Sequence, residues 1–247
     1  MRPIMMRTLL FLLLLFGVQA FAAVAPGWRM HKPTIDNCTP DTYVHIALDS
    51  ADRIWTTFQQ SYGDTVNCAG MAVHISDTVW QVFNKENSEL PTNKIKRIEA
   101  IDSNLLWCIT DSGLIRFDSR DGSCKRLTPQ NSGIFNSFIA NMAIAADKSL
   151  WVVNPNFGLG IQKIVNDTVV YVNHYFPILP VDMLGDTNGN VWVVGGTANW
   201  DAFTRIGHDD SIYQYPFVTS WGDSITDFKC IQPAENGVIW LGLGYFI

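Results

Sequence analysis

Positive charge is in short supply in this sequence. Its 17 Lys and Arg stand against 23 Asp and Glu, a net charge of −6, and charged residues of both signs make up only 16% of the 247. Without a basic stripe to displace counterions from phosphates, nucleic acid is excluded as a partner, and anionic membrane surfaces are poor partners for the same reason. Chemical motifs are missing too: there is no GxSxG, Walker loop, HExxH or CxxC. The histidines, His31, His45, His74, His174 and His208, have no i, i+2 or i, i+4 pairing that would let two of them grip a metal. Scattered in this way they read as surface or hydrogen-bonded core residues. Asp186-Thr187-Asn188-Gly189-Asn190 opens like a calcium loop but lacks the distal Glu of an EF-hand, and reads as a hairpin turn. The sequence therefore points to no catalytic residue, no metal and no cofactor.

Long hydrophobic runs are absent after the N-terminus. The single run, TLLFLLLLFGV over residues 8–18, follows Arg2 and Arg7 and precedes the small residues Ala20 and Ala22. About 11 apolar residues fall short of the roughly 20 needed to span a bilayer, so residues 1–22 read as a secretory signal peptide cleaved after Ala22. The mature chain, 23–247, is then expected to be secreted or periplasmic and free of the membrane. Export permits disulfides, yet the five cysteines are an odd number at spacings that match no zinc site. Cys38 and Cys68 are the better pair, Cys108 reads as a small core residue beside Trp107, and whether Cys108 and Cys124 meet is left to geometry. Asn37-Cys38-Thr39 and Asn166-Asp167-Thr168 have the form of glycosylation sequons.

What the chain does have is a repeat. Trp55, Trp107, Trp151, Trp192 and Trp240 recur at intervals of 52, 44, 41 and 48 residues, each closing a phrase of apolar run, acidic or Asn/Gly turn, and apolar-Trp-apolar. Periods of this length, with short alternating strands and turn residues between them, predict an all-β β-propeller of about five four-stranded blades. The repeats run approximately 44–93, 94–137, 138–179, 180–224 and 225–247. The second parses most clearly, into IKRIEAI, LLWCIT, GLIRFD and SCKRLT separated by Asx and Gly turns. NSELPTN from Asn87 and NSGIFNS from Asn131 read as crossovers between blades. Trp28 precedes Trp55 by the same 27 residues that separate Trp80 from Trp107, which makes residues 28–33 an outer strand that would complete the last blade. The fifth repeat reaches only the start of its third strand at Ile247. The last blade is thus expected to be incomplete, the chain to be a fragment of a larger propeller, and pairing through that blade to be open.

Residues 87–118, NSELPTNKIKRIEAIDSNLLWCITDSGLIRFD, resemble the two-component regulator propeller repeat. Asn87, Ser88, Leu90, Pro91, Asn93, Asp102, Trp107, Thr110, Gly113, Leu114, Arg116, Phe117 and Asp118 all match that pattern. The other repeats depart from it, with Asn154 and Gly195 in place of Thr and Glu235 in place of Asp. The resemblance implies a propeller used for sensing outside the cytoplasm, as in the periplasmic portions of membrane histidine kinases. No kinase or response-regulator motif accompanies it here.

Each repeat Trp sits among apolar residues and is expected to pack between blades. Trp200 and Trp221 fall outside the phrase, in TANWDAF and TSWGDS, and are the candidates for a recognition surface. The sequence thus reads as an extracytoplasmic ligand-binding or sensing module for an unknown extracellular ligand, a glycan or other polymer. The alternatives are a propeller enzyme of lyase or lactonase type, with polar residues meeting near the axis, and a nonfunctional truncated product.

Overall fold

The computed structural model describes residues 33, 40, 42–59, 68–76, 79–154, 160–173, 179–196, 201–216, 228–234 and 238–243. The signal peptide, residues 28–32 of the expected outer strand, Cys38, Trp200 and Trp221 lie outside the described residues. The chain divides into two units, Met1–Lys125 and Arg126–Ile247.

The first unit holds two antiparallel sheets in chain order. One is β1 (Thr42–Leu48), β2 (Ile54–Gln59), β3 (Gly70–Ser76) and β4 (Val79–Phe83); the other is β5 (Ile95–Ala100), β6 (Leu105–Thr110), β7 (Gly113–Asp118) and β8 (Cys124–Arg126). The second unit opens with the helical turn α1 (Pro129–Ser132). A third sheet follows, of β9 (Asn141–Ile144), β10 (Leu150–Val153), β11 (Ile161–Val165) and β12 (Thr168–Asn173). The fourth is β13 (Leu179–Gly185), β14 (Val191–Gly196), β15 (Asp201–Ile206) and β16 (Ile212–Pro216), and the pair β17 (Phe228–Pro233) and β18 (Ile239–Leu243) completes the described strands. β5 to β8 are the four runs read in the second repeat.

One hairpin turn recurs at residues 49–53, 145–149, 186–190 and 207–211. In each, the first N–H donates to the fifth carbonyl, and the fourth residue, Asp52, Lys148, Gly189 or Asp210, has φ between 59° and 83°. A left-handed residue there closes the loop without splaying the strands. Asn166 and Asp167, both at positive φ, make the tighter two-residue turn between β11 and β12.

The acid before each Trp does one of two jobs, set by its position. Asp49 and Asp186 stand six residues ahead of Trp55 and Trp192 and accept their indole N–H groups at 3.0 and 2.7 Å. Both also accept backbone N–H groups of their own turns, so each carboxylate ties the turn to the strand beyond it. Asp102 and Asp147, five and four residues ahead, do not reach the indole: both accept from the turn residues beyond them, and Asp147 also pairs with Lys163 at 3.6 Å. The Asp186 carboxylate accepts from Asn188, Asn190 (twice) and Trp192, and its carbonyl accepts the Gly189 N–H, which makes 186–190 a hairpin clip.

Two apolar clusters hold neighbouring sheets together. In the first unit Trp55, Met71, Val73 and Phe83 pack with Ile98, Leu106, Cys108 and Phe117; in the second, Ala143, Trp151 and Ile161 pack with Met183, Val191, Val193 and Ile206. Trp55, Trp107 and Trp151 are buried as expected, and Trp192 is half-buried. Trp240 departs from the expectation. It is 66% exposed: its neighbours Ile239 and Leu241 pack with Phe228 and Ile231 against the fourth sheet, and no described strand lies over the opposite face, which carries Trp240.

Two further readings gain detail. The segment beginning at Asn131 is not a plain crossover: Thr128 caps α1 by accepting the Asn131 N–H, Pro129 opens it, and Gly133 at φ 81° ends it. Cys68 is disulfide-bonded, whereas Cys108, Cys124 and Cys230 are free. Cys108 lies on β6 and Cys124 on β8 with β7 between them. Strands two apart in a sheet are roughly 9–10 Å from each other, beyond the about 7 Å limit for bridging two Cα atoms.

Candidate functional site

The first strand of each sheet carries a polar residue at one shared register, two positions beyond the repeat Trp on the partner strand. These residues are His45, Arg97, Asn141, Asp182 and Cys230, opposite Thr57, Ile109, Val153, Val194 and Gly242. Pairing slips by one residue just before His45, Arg97, Asp182 and Cys230. The extra residues, Val44, Lys96, Val181 and Lys229, are all exposed, as a bulge re-aims its neighbours. None of the five shared-register residues was singled out as a site in the sequence. The signal that would have found them is the alignment of the first strands on the tryptophans.

In the first unit His45 is half-buried. Its Nδ1 is shielded from solvent with no hydrogen-bond partner among the described residues, and the Tyr43 hydroxyl is in the same state. His45 is therefore neither the surface histidine nor the satisfied core histidine expected. Burial first, and the positive charge of Arg97 second, push its pKa down to about 3, so the imidazole is neutral in ordinary solution. Arg97 itself pairs along its strand with Glu99, at 2.9 and 3.1 Å.

In the second unit the polar residues are committed to neighbouring strands. Asn141 donates to the Val181 carbonyl at 3.0 Å and accepts the Met142 N–H at 2.8 Å. Asp182 accepts the N–H groups of Met183 and Ile231. The Cys230 thiol is raised by burial and by the charge of Asp182, which keeps it protonated and a weak nucleophile. No nucleophile–base pair is assembled among these residues.

The outer strands present a second set. Tyr213 and Tyr215 on β16 are 45% and 38% exposed, and Tyr215 continues a stack with Phe203 and Trp192 at centroid distances of 5.7 and 6.3 Å. Two small cavities, of about 100 and 160 Å³, lie beside the third-strand cations Lys163 and Arg116. Both fall below the roughly 300 Å³ at which small-molecule pockets begin.

Acid is expected to destabilise the fold in two stages. For His45 the folded pKa is depressed from 6.5 to about 3, so the unfolded chain binds a proton that the folded one refuses, and stability falls as pH drops through that window. For Asp49 and Asp186 burial works to raise the carboxyls, but hydrogen bonds from the indoles and turn N–H groups outweigh it and hold them below their ordinary value. Their contribution is present above the unfolded pKa and is lost as pH falls through the folded one. In denaturant titrations from pH 7 to 3, His45→Gln should remove the first stage and leave the second. An unchanged profile would place His45 in solvent.

No known protein family matches the chain in sequence, and no curated protein does. Solved structures match by fold. PorZ, a bacterial surface component of the type-IX secretion system of Porphyromonas gingivalis, has TM-score 0.66 at 15% identity, over 85% of this chain and 33% of that one. Streptogramin B lyase has TM-score 0.60 at 19% identity, over 83% of this chain and 63% of that one. The extracellular domain named for a hybrid two-component system of B. thetaiotaomicron has TM-score 0.58 at 19% identity, over 86% and 27%. The chain spans less than two thirds of the length of each of these three counterparts. At such identities the likeness establishes the β-propeller fold. The counterparts include extracellular domains and an enzyme, and among the described residues no helix is long and apolar enough to cross a membrane.

Proposed function

We propose that the chain is an extracytoplasmic ligand-binding or sensing propeller module. The observation that carries this reading is the exposed pair Tyr213 and Tyr215, in a unit whose first-strand residues Asn141 and Asp182 are already spent on backbone partners. Aromatic faces exposed beside polar groups are what recognition surfaces use, whereas catalysis needs an acid–base pair poised on a reacting atom. Residues 1–22 and the extracellular counterparts support export.

A second reading, a propeller enzyme of lyase or lactonase type, rests on His45, whose buried Nδ1 is left without a partner beside Arg97. The two separate by experiment. The mature chain would be titrated against a panel of soluble glycans and polypeptides while turnover of lactones and polyuronates is followed. Binding weakened tenfold or more by Tyr215→Ala supports the module. Turnover abolished by His45→Gln, with binding indifferent to Tyr215, would replace it with the enzyme.

A further inference from the structure

An asparagine amide is an electrophile built into the chain. Where it is free and the next residue is glycine, the glycine nitrogen reaches the side-chain carbonyl carbon with no Cβ in the way. The described residues hold one such pair, Asn188-Gly189, in the 186–190 turn. Asn188 is exposed, and its side-chain amide meets no partner among the described residues; its backbone N–H donates to Asp186 at 2.9 Å. The exposure belongs to the position and does not depend on what stands beside the fourth sheet. Ala51 and Asp147, the third residues of the 49–53 and 145–149 turns, are exposed although a further sheet packs against each of theirs, and 58% of the Asp147 side chain is open to solvent.

Asparagines that precede serine are held differently. The Asn87 and Asn131 amides are tied at both ends: Oδ1 accepts the N–H of Asn84 at 2.9 Å and of Thr128 at 2.8 Å, while Nδ2 donates to the carbonyls of Val82 and Arg126, both at 2.9 Å. Asn136 Oδ1 accepts from the Phe138 N–H and from Asn154 Nδ2. A tied amide does not turn its carbonyl carbon toward the next nitrogen. In the 186–190 turn the reacting nitrogen is restrained by the bond from the Gly189 N–H to the Asp186 carbonyl, at 3.2 Å. An exposed turn bond of this kind opens locally without unfolding the chain.

We infer that Asn188 is a site of spontaneous deamidation, with water as the only co-reactant, and that the isoaspartyl product loosens the clip on Trp192. Gly189 N attacks Asn188 Cγ; the new N–Cγ bond closes a succinimide, the Cγ–Nδ2 bond breaks, and Nδ2 leaves as ammonia with the Gly189 proton. Water then opens the ring, its hydroxyl going to one carbonyl carbon and its proton returning to Gly189 N. Opening at Cγ gives aspartate; opening at the backbone carbonyl gives isoaspartate, with one more carbon in the main chain. That carbon enters the loop across which the Asp186 carboxylate holds the Asn188 and Asn190 N–H groups, Asn190 Nδ2 and the Trp192 indole. Gly189 also borders the small cavity lined by Lys163, His208 and Asp210, so the lengthened loop presses on the contact between the third and fourth sheets.

The mature chain would be aged in neutral buffer, folded and in parallel in urea, and its tryptic peptides mapped by mass spectrometry, with isoaspartate counted by enzymatic methyl transfer. Cleavage at Arg205 and Lys229 puts the second Asn-Gly pair, Asn236-Gly237, which lies outside the described residues, in a different peptide. In the folded chain Asn188 is expected to convert at least tenfold faster than Asn87 and Asn131. Urea should speed those two at least tenfold and Asn188 much less, and Asn188→Gln should abolish the product. The isoaspartyl form, separated by ion exchange, is expected to melt below the parent, whereas Asn188→Asp, with its main chain unaltered, melts with it. Asn188 left intact in the folded chain while urea converts it overturns the site. An isoaspartyl form that melts with the parent overturns the loosened clip.

Discussion

Trp55→Ala is expected to cost about 3–5 kcal/mol, the range for deleting a large aromatic from a core, while the repeat-equivalent Trp240→Ala stays within about 0.5 kcal/mol, as surface changes do. Trp55 is fully buried, stacks on Phe83 at 5.8 Å and donates its indole N–H to Asp49 at 3.0 Å. Its removal leaves a cavity between the first two sheets and takes one of the donors from the carboxylate that organises the 49–53 turn. Trp240 gives up neither, being 66% exposed. Urea denaturation of the two variants beside the parent chain measures the contrast. Equal losses would mean that Trp240 is covered in solution, and a small loss at Trp55 would remove the core assigned to the first unit.

That contrast marks where the sequence stops being sufficient. Alternation and turn chemistry made β5 to β8 legible within two residues, because a strand with one buried face must show its period and a hairpin must show Gly or Asx. The tryptophan phrase also located the turns. Burial of each tryptophan was not legible, since it depends on what lies across the sheet: Trp151 meets the fourth sheet, whereas Trp240 meets solvent. The spacing of the acids was visible but its meaning was not, and only geometry shows that an acid six residues ahead reaches the indole while one four residues ahead binds its turn and Lys163 instead. The first-strand set from His45 to Cys230 was hidden by chemical variety, as nothing about a His, an Arg, an Asn, an Asp and a Cys announces a shared register. Trp200 and Trp221 lie outside the described residues, so the binding reading stands on Tyr213 and Tyr215.

Gly185→Ala is expected to be as damaging as the loss of a buried tryptophan, although it adds a single methyl. Gly185 ends β13, and a Cβ built there would fall on the Ile144 carbonyl oxygen, 2.8 Å from its carbon and 3.2 Å from Ala145 Cα. The obstacle is backbone of β9, pinned by the pairing of Ile144 with Leu150, so it cannot swing aside as a side chain would. Overpacking of this kind costs on the order of 3 kcal/mol, a fall in Tm of roughly 6–12 °C for a chain of this size. The same position in the other sheets holds Leu48, Ala100, Ile144 or Pro233, which shows that close approach, not the strand itself, demands glycine here. Gly207→Ala is the control. Its Cβ would meet only the ends of the Asp209 and Ser211 side chains, at 2.6 and 2.9 Å, and these can turn away. A melting temperature unmoved by Gly185→Ala would mean that β9 and β13 stand further apart than described.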